Sequence, residues 1–304
     1  MSKPLDRLAL LQTFVRIAER GTISGAARDL GLAQGSASRQ LKDLEDRLGV
    51  QLVRRTTHEL ALTEAGLDVL ADARELLARW EALEERQAED AGALRGALSG
   101  VAPVAMGQMA LADVAVAFQA AHPQVTLTWR LEDEAIRFAE VGCDCWIKIG
   151  PVTDERLVVR RLGRVERLVA ATPGLAARME SATPAAAAAL PFAVLTPFEG
   201  RRIRVGRASG ERAELAVTPA LSTNNILSLK RAVLAGLGAA VLPRWFVAEE
   251  LTRGALVDLL PEWRAATLDV NIAYLPARRR PRRLTAFIEA VAAGVAAMPG
   301  VSAP

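Results

Sequence analysis

The amino-acid sequence predicts an α/β protein in three parts: a small helical module closed by a two-strand hairpin, a long connecting helix, and a larger domain of alternating strands and helices in two lobes. Three observations carry that expectation. Apolar residues recur at helical spacing through the first fifty or so positions and give way to two short β-rich runs. A seven-residue apolar repeat follows, at Leu62, Val69, Leu76 and Leu83. From about residue 95, strand-like and helix-like segments alternate, as in α/β domains. The chain has 304 residues, enough for two or three domains, and 51% are hydrophobic, enough to fill their cores.

Charge divides along the same lines. Residues 1–60 hold ten Lys/Arg against seven Asp/Glu, residues 61–94 hold three against nine, and the remainder holds 25 against 19. A mildly basic first module permits a nucleic-acid partner without demanding one. No apolar run reaches the roughly eighteen residues of a membrane span. The start, "MSKPLDRLALLQTFVRIAERG", is broken by charge and lacks the apolar core of a signal peptide. A soluble, cytoplasmic protein is expected, with no membrane partner. Cys143 and Cys145 are the only cysteines, and His58 and His122 lie far apart, so neither a disulfide framework nor a metal site is expected. No Ser/His/Asp set or phosphate loop appears, so catalytic residues and cofactors are expected to be absent, and His122 before Pro123 reads as structural.

In the first module, Leu8, Leu11, Phe14, Val15 and Ala18 form one helical face, which Gly21 stops. Ser24 is positioned to cap a second helix, with Ala26, Ala27 and Leu30 inward and Gly31 at its end. The third helix carries Ala37, Leu41, Leu44 and Leu48, spaced four, three and four, and Gly49 ends it. "VQLVRRTTHELALT" reads as two strands with a tip at Thr57 and His58. Residues 64–94 read as one helix whose seam of Val69, Ala73, Leu76, Trp80 and Leu83 suits pairing with a second copy. Beyond it, strands are expected at "ALSGVAPVA", "VTLTWRLE", "CDCWIKIG", "PFAVLT" and "AAVLP", running parallel. Helices are expected at "LADVAVAFQAAHP", "DEAIRFAEVG", "TPAAAAALP" and "ILSLKRAVLAGLG". Cys143 and Cys145 would share one strand face as core residues, and "ARRRPRRL" reads as a solvated loop.

Helix, turn, helix and wing is the arrangement of DNA-binding winged helix-turn-helix modules. With the leucines inward, Gly35, Arg39 and Lys42 point outward, Ser36 and Ser38 flank them, and Gln34 stands at the helix start. Small side chains there permit close approach to DNA. Gln and Arg read base edges, while Ser and Lys hold phosphates. Ser24, at the head of the preceding helix, and His58, at the wing tip, are counted with them.

The stretch "LLQTFVRIAERGTISGAARDLGLAQGSASRQLKDLEDRLGVQLVRRTTHELALTEAG" resembles the N-terminal domain of LysR-type transcriptional regulators. "HPQVTLTWRL", "VGCDCWIKIGPVTDERLVVRRLG" and "LAGLGAAVLPRWFVAEELTRGALVDLLPEW" are similar to that family's effector-binding domain, so the resemblance covers the whole chain. It implies a winged helix-turn-helix over 1–63, a linker and dimerisation helix over 64–94, and a periplasmic-binding-protein-like α/β effector domain over 95–304. Lobe I would take about 95–165 and 267–304, and lobe II about 166–266. The implied function is DNA-binding transcriptional regulation switched by a small molecule between the lobes. The implied partners are a double-stranded DNA operator, an effector, a homodimer or homotetramer and, in addition, RNA polymerase. An effector-independent regulator, a metabolite-binding protein and an enzyme are the alternatives.

Residue by residue, Arg55 matches the family's wing arginine, and Ser38 and Arg39 match DNA-contacting positions. Ala33 and Gly35 stand where serines are common, which removes a helix cap worth ~1 kcal/mol. Ala105 and Met106 stand where many relatives carry a hydroxyl, and Lys148 where arginine is common. The effector site implied comprises Ala105, Met106, Gln108 and Lys148 from the first lobe and Thr196, Thr223 and Asn224 from the second, with Thr223, Asn224 and Asn225 at a helix start.

Overall fold

A computed structural model describes residues 6–55, 60–87, 93–136, 138–196, 198–277 and 280–304. In helix α1 (Arg7–Arg20), the four-three spacing buries Leu10, Phe14 and Ile17, and Gly21 ends the helix at φ 62. Helix α2 (Ile23–Asp29) is capped by Thr22, whose Oγ1 accepts from Gly25 N at 3.2 Å. Ser24, expected as that cap, already lies inside the first turn and is exposed; a cap needs the extended backbone that Thr22 adopts.

Helix α3 (Gln34–Leu48) buries Ala37, Leu41 and Leu44 and ends at Gly49, at φ 71. Leu48, expected on the same stripe, is 46% exposed because the last turn extends past the module's core. Strands β1 (Val53–Arg55) and β2 (Leu60–Leu62) pair antiparallel, Val53 opposite Leu62 and Arg55 opposite Leu60. The tip expected at Thr57 and His58 lies outside the described residues.

Helix α4 (Glu64–Gln87) starts where Thr63 Oγ1 accepts from Gly66 N at 2.9 Å. Of the helix expected over 64–94, residues 88–92 lie outside the described residues and 93–95 have no regular structure. Leu10, Phe14, Ile17, Ala26, Leu41, Leu44, Leu52 and Leu70 form one core, with Val69 packed against it. The first turns of α4 therefore belong to the three-helix module.

The elements that follow are β3 (Gly96–Ala102), α5 (Val104–Met109), α6 (Ala112–Ala121), β4 (Val125–Leu131), α7 (Phe138–Val141), β5 (Cys145–Ile149), β6 (Val158–Ala171), α8 (Pro173–Ala176), α9 (Pro184–Ala188), β7 (Pro191–Leu195), β8 (Arg202–Gly206), β9 (Arg212–Ala216), β10 (Thr218–Thr223), α10 (Ile226–Leu234), β11 (Ala240–Pro243), α11 (Arg244–Thr252), β12 (Val257–Asp258), β13 (Arg264–Tyr274), α12 (Arg282–Ala296) and β14 (Val301–Ser302). The helix expected across 133–142 is confined to α7, and 133–136 are non-helical. Cys143 precedes β5 instead of sharing its face with Cys145; both thiols are free and buried.

The chain falls into two compact units. One takes residues up to 101 with 117–146 and 274–288; the other takes 102–116, 147–273 and 289–304. In the first, β3 pairs parallel with β5, Gly100 opposite Cys145, and β4 flanks β3. Phe118 of α6 meets Phe287 of α12 edge-on at 5.0 Å, and Phe287 meets Trp129 at 5.9 Å. A Cβ at Gly100 would lie 3.0 Å from the Trp129 ring, so only glycine lets the indole cover the strand at that distance. Arg283, 4% exposed, donates to Ala97 O at 2.7 Å, so this member of the arginine cluster is a core tie and not a solvated loop residue.

In the second unit, strand alternation sorts side chains onto two sheet faces. Val169, Ala171, Phe192, Val194 and Val241 share one apolar cluster with Trp263 and the inner face of β8–β9. Leu168, Ala170, Ala193, Leu195, Ala240 and Leu242 share the other with α10 and α11. The strands are not all parallel as expected. β7 and β10 are parallel, but β11, β12 and β14 all run antiparallel to the long strand β6, and β8–β9 is an antiparallel hairpin.

One buried polar contact sets the roll of α3 against α1. Thr13, 1% exposed, donates through Oγ1 to Oε1 of Gln40, 9% exposed. Gln40→Leu alone is expected to lower unfolding free energy by ~1–3 kcal/mol, because a buried hydroxyl loses its partner. Adding Thr13→Val should recover at least half of that loss in urea denaturation; additive losses would show that the two groups are not coupled.

Candidate functional site: a DNA-reading surface and an effector rim

The outward face of α3 is assembled by the inward one. With Ala37, Gln40, Leu41 and Leu44 buried, Gln34, Gly35, Ser36, Arg39 and Lys42 are exposed and Ser38 is half-buried. Ala33 supplies no side-chain cap, and the first turn of α3 carries no acidic residue of its own to offset the positive end of the helix dipole. That turn suits a phosphate. Glu45 serves the wing: its Oε1 accepts from Leu52 N at 2.8 Å and Val53 N at 3.3 Å, tying α3 to the start of β1. Arg20 holds Asp29 through Nε at 2.5 Å and Nη2 at 2.8 Å, locking α1 to α2. The Arg20 guanidinium keeps the Asp29 carboxyl below the usual carboxylate range. Ser24 is exposed on α2. Arg55 closes β1, and His58 lies outside the described residues.

Gln40 and Thr13 were missed as positioning residues. Position 40 lies three after Ala37 and four before Leu44, so helical periodicity alone puts this glutamine on the inward face.

The seam on α4 is divided. Ala73 is 1% exposed, and Val69 is partly buried against the module core. Leu76 at 50%, Trp80 at 43% and Leu83 at 37% are exposed, spaced four and three along one face.

The expected effector residues also divide. Ala105 and Met106 are buried, 4% and 0% exposed, and Ala105 packs in the cluster that holds Leu195 and Leu229. Both are thus covered by the protein itself and are not exposed at the rim. Thr196, Thr223 and Asn224 are brought together where the parallel strands β7 and β10 end: Thr196 N donates to Thr223 O at 2.9 Å. Thr223 Oγ1 accepts from Asn225 N at 3.1 Å, and Asn225, not Thr223, caps α10 through Ser228 N at 3.0 Å. Gln108, exposed, and Lys148, half-buried, sit on other elements of the same unit, α5 and β5. Burial pushes the Lys148 amine below its ordinary range. Behind the rim, Lys230 Nζ of α10 meets Glu250 Oε1 at 2.6 Å and Phe246 O at 3.0 Å, fixing α10 on α11.

Among the described residues, no His/Cys/Asp/Glu group could hold a metal ion, and no helix is long and apolar enough to cross a membrane. A helix-turn-helix with an open recognition face, joined to a two-lobed α/β domain with a polar rim at its strand ends, defines a DNA-binding transcriptional regulator with an effector-binding domain.

Comparison with known proteins agrees. Residues 8–67 match the bacterial regulatory helix-turn-helix protein, lysR family, and residues 91–296 match the LysR substrate binding domain. The chain belongs to the LysR family of transcriptional regulators. It is 31% identical to the regulator PtxR of Pseudomonas aeruginosa over 96% of this chain and 95% of that protein. It is 28% identical to the regulator YhjC of Escherichia coli over 94% and 96% respectively. Among solved structures, it is similar to CrgA of Neisseria meningitidis, at 26% identity, TM-score 0.58, and 94% and 97% coverage. Full-length LysG of Corynebacterium glutamicum with bound effector Arg shares the fold at 22% identity, TM-score 0.62, and 95% and 98% coverage.

Proposed function

We propose that this protein is a cytoplasmic, homo-oligomeric regulator that reads an operator in double-stranded DNA and is switched by a small molecule, and that it is not an enzyme. Residues 1–63 read DNA, 64–94 pair with a second copy, and 95–304 bind the effector between lobe I (95–165 and 267–304) and lobe II (166–266). The observation that carries the reading is the exposed row Gln34, Gly35, Ser36, Arg39 and Lys42 on a helix whose start is uncapped. Gln34 and Arg39 read base edges. Ser24, Ser36, Ser38 and Lys42 hold backbone phosphates, and Arg55 and His58 complete the set from the wing.

The assembly contact is the exposed set Leu76, Trp80 and Leu83. Two copies joined there place two recognition helices in successive major grooves, so the operator is an inverted repeat with half-sites about one helical turn, or a multiple of it, apart. The effector contacts are Gln108, Lys148, Thr196, Thr223 and Asn224. With Met106 buried, the lining is hydroxyl, amide and amine, which suits a small ligand bearing a carboxylate or carbonyl. The solved LysG holds its effector Arg, a ligand of that size. Any effect on DNA requires that the ligand bind one lobe arrangement more tightly than another.

Arg39→Ala is expected to weaken operator binding by ~1–3 kcal/mol while leaving unrelated DNA little affected. Lys42→Ala should weaken both alike and flatten the salt dependence in fluorescence-anisotropy titrations. Equal losses on both duplexes for Arg39→Ala would remove it from base reading. Leu76→Asp with Leu83→Asp is expected to leave a folded monomer by analytical ultracentrifugation; an unchanged dimer places the seam elsewhere. In a thermal-shift screen of small carboxylates and amides, a hit that raises the melting temperature of the native protein should lose its shift in Thr223→Val with Gln108→Ala, at unchanged operator affinity. A retained shift would move the effector site.

A further inference from the structure

The first compact unit contains a contact that neither DNA reading nor the effector rim uses. Glu19, at the end of α1, and Arg74, on α4, meet against the turn that follows α7. Arg74 Nη2 lies 3.7 Å from Glu19 Oε1, and the two side chains are only 12% and 20% exposed. Arg16 Nη1 reaches the other Glu19 oxygen at 3.0 Å, and Arg16 also lies 3.9 Å from Asp29 of α2. Thus α1, α2 and α4 join one charge network.

The turn beneath is shaped to receive the pair. Gly142 has φ +69, and a Cβ there would lie 2.5 Å from both Arg74 Nη2 and Glu19 Cγ. Glycine is therefore required twice at this position, for its backbone angle and for the closeness of the pair. The turn is anchored to the sheet on both sides: Ser99 N donates to Asp144 Oδ2 at 2.7 Å, Asp144 N donates to Ser99 O at 2.7 Å, and Arg130 Nη1 donates to Val141 O at 3.0 Å.

We propose that Glu19, Arg74 and the Gly142–Asp144 turn form a clasp by which the effector-binding domain holds the DNA-reading module of its own chain in one orientation. The clasp exists in the fold whatever the ligand; its regulatory meaning rests on the function proposed above. A half-buried ion pair is stable only while both partners stay in place, since removing one leaves the other desolvated without compensation. Such a contact has two states, closed with both charges paired or open with both hydrated, and a ligand that moves the turn biases the choice.

The two cysteines report on it. Cys143 lies within the turn, close enough to Arg74 for that charge to act on its thiol, which burial pushes up to about 12. Cys145, fully buried in β5, opens only if the sheet does. In the native protein without DNA or ligand, iodoacetamide labelling at pH 8, resolved by peptide mass spectrometry, is expected to leave both nearly unreacted. In Glu19→Ala, Arg74→Ala and Gly142→Ala, Cys143 should react at least tenfold faster while Cys145 is unchanged. No acceleration at Cys143 in any of the three overturns the clasp. So does equal acceleration at both cysteines in Glu19→Ala, because the thiol is then protected by its own domain and not by the module. Since no DNA is present, failure of the DNA-reading assignment leaves either outcome intact.

Discussion

Leu70 and Ala73 are buried in their own chain, and Leu76, Trp80 and Leu83, further along the same helix, are not. This division of one apolar stripe is the constraint on which the rest of the molecule depends. The first turns of α4 complete a core with Leu10, Phe14, Ile17, Leu41, Leu44 and Leu52. Without them the three short helices would lack one wall. The later turns carry a bare apolar face at heptad spacing, a pattern that water disfavours and a partner helix satisfies. One continuous helix therefore joins the core of the helical module to the exposed apolar face at its far end.

The module and the rim are rigid for different reasons. In the module, apolar packing does most of the work and a few polar contacts set the details: Thr13 with Gln40 fixes the roll of α3, Glu45 ties the wing, and Arg20 with Asp29 pins α2. In the α/β domain, two apolar clusters cover both faces of the β6–β11 sheet, and the buried pair Lys230–Glu250 fastens α10 to α11. Thr196 N donates to Thr223 O, which ties these two rim residues together at the ends of β7 and β10.

The helical half of the molecule was legible because its signals are local. Periodicity and the stop glycines at 21 and 49 placed α1 and α3 closely, and Gly31 marked the end of α2. Ser24 misled because two hydroxyl residues, Thr22 and Ser24, compete for one cap, and only the backbone decides between them. The α/β domain was legible in outline only. β6 and β13 leave no short-range trace, because their antiparallel partners are distant in sequence, and the charged hairpin β8–β9 alternates too weakly to stand out. The position of Ala105 and Met106 after a strand does not disclose their burial, which follows the rotation of α5 and turns both inward. The seam of α4 looked uniform in sequence because Val69 and Leu76 are equally apolar; what covers each is tertiary information.

The missing cap at Ala33 gives the reading helix a further property. A helix start without a side-chain acceptor leaves its first donors to water, at a stability cost of ~1 kcal/mol relative to a serine cap. Any anion that seats there binds the folded state and not the unfolded chain, so it raises stability in proportion to its occupancy. A phosphate seated at this start would therefore stabilise the same helix that carries the exposed row. Under the function proposed above, folding and attachment to the duplex would then be linked equilibria: salt that strips the protein from DNA would also withdraw the partner of the first turn of α3.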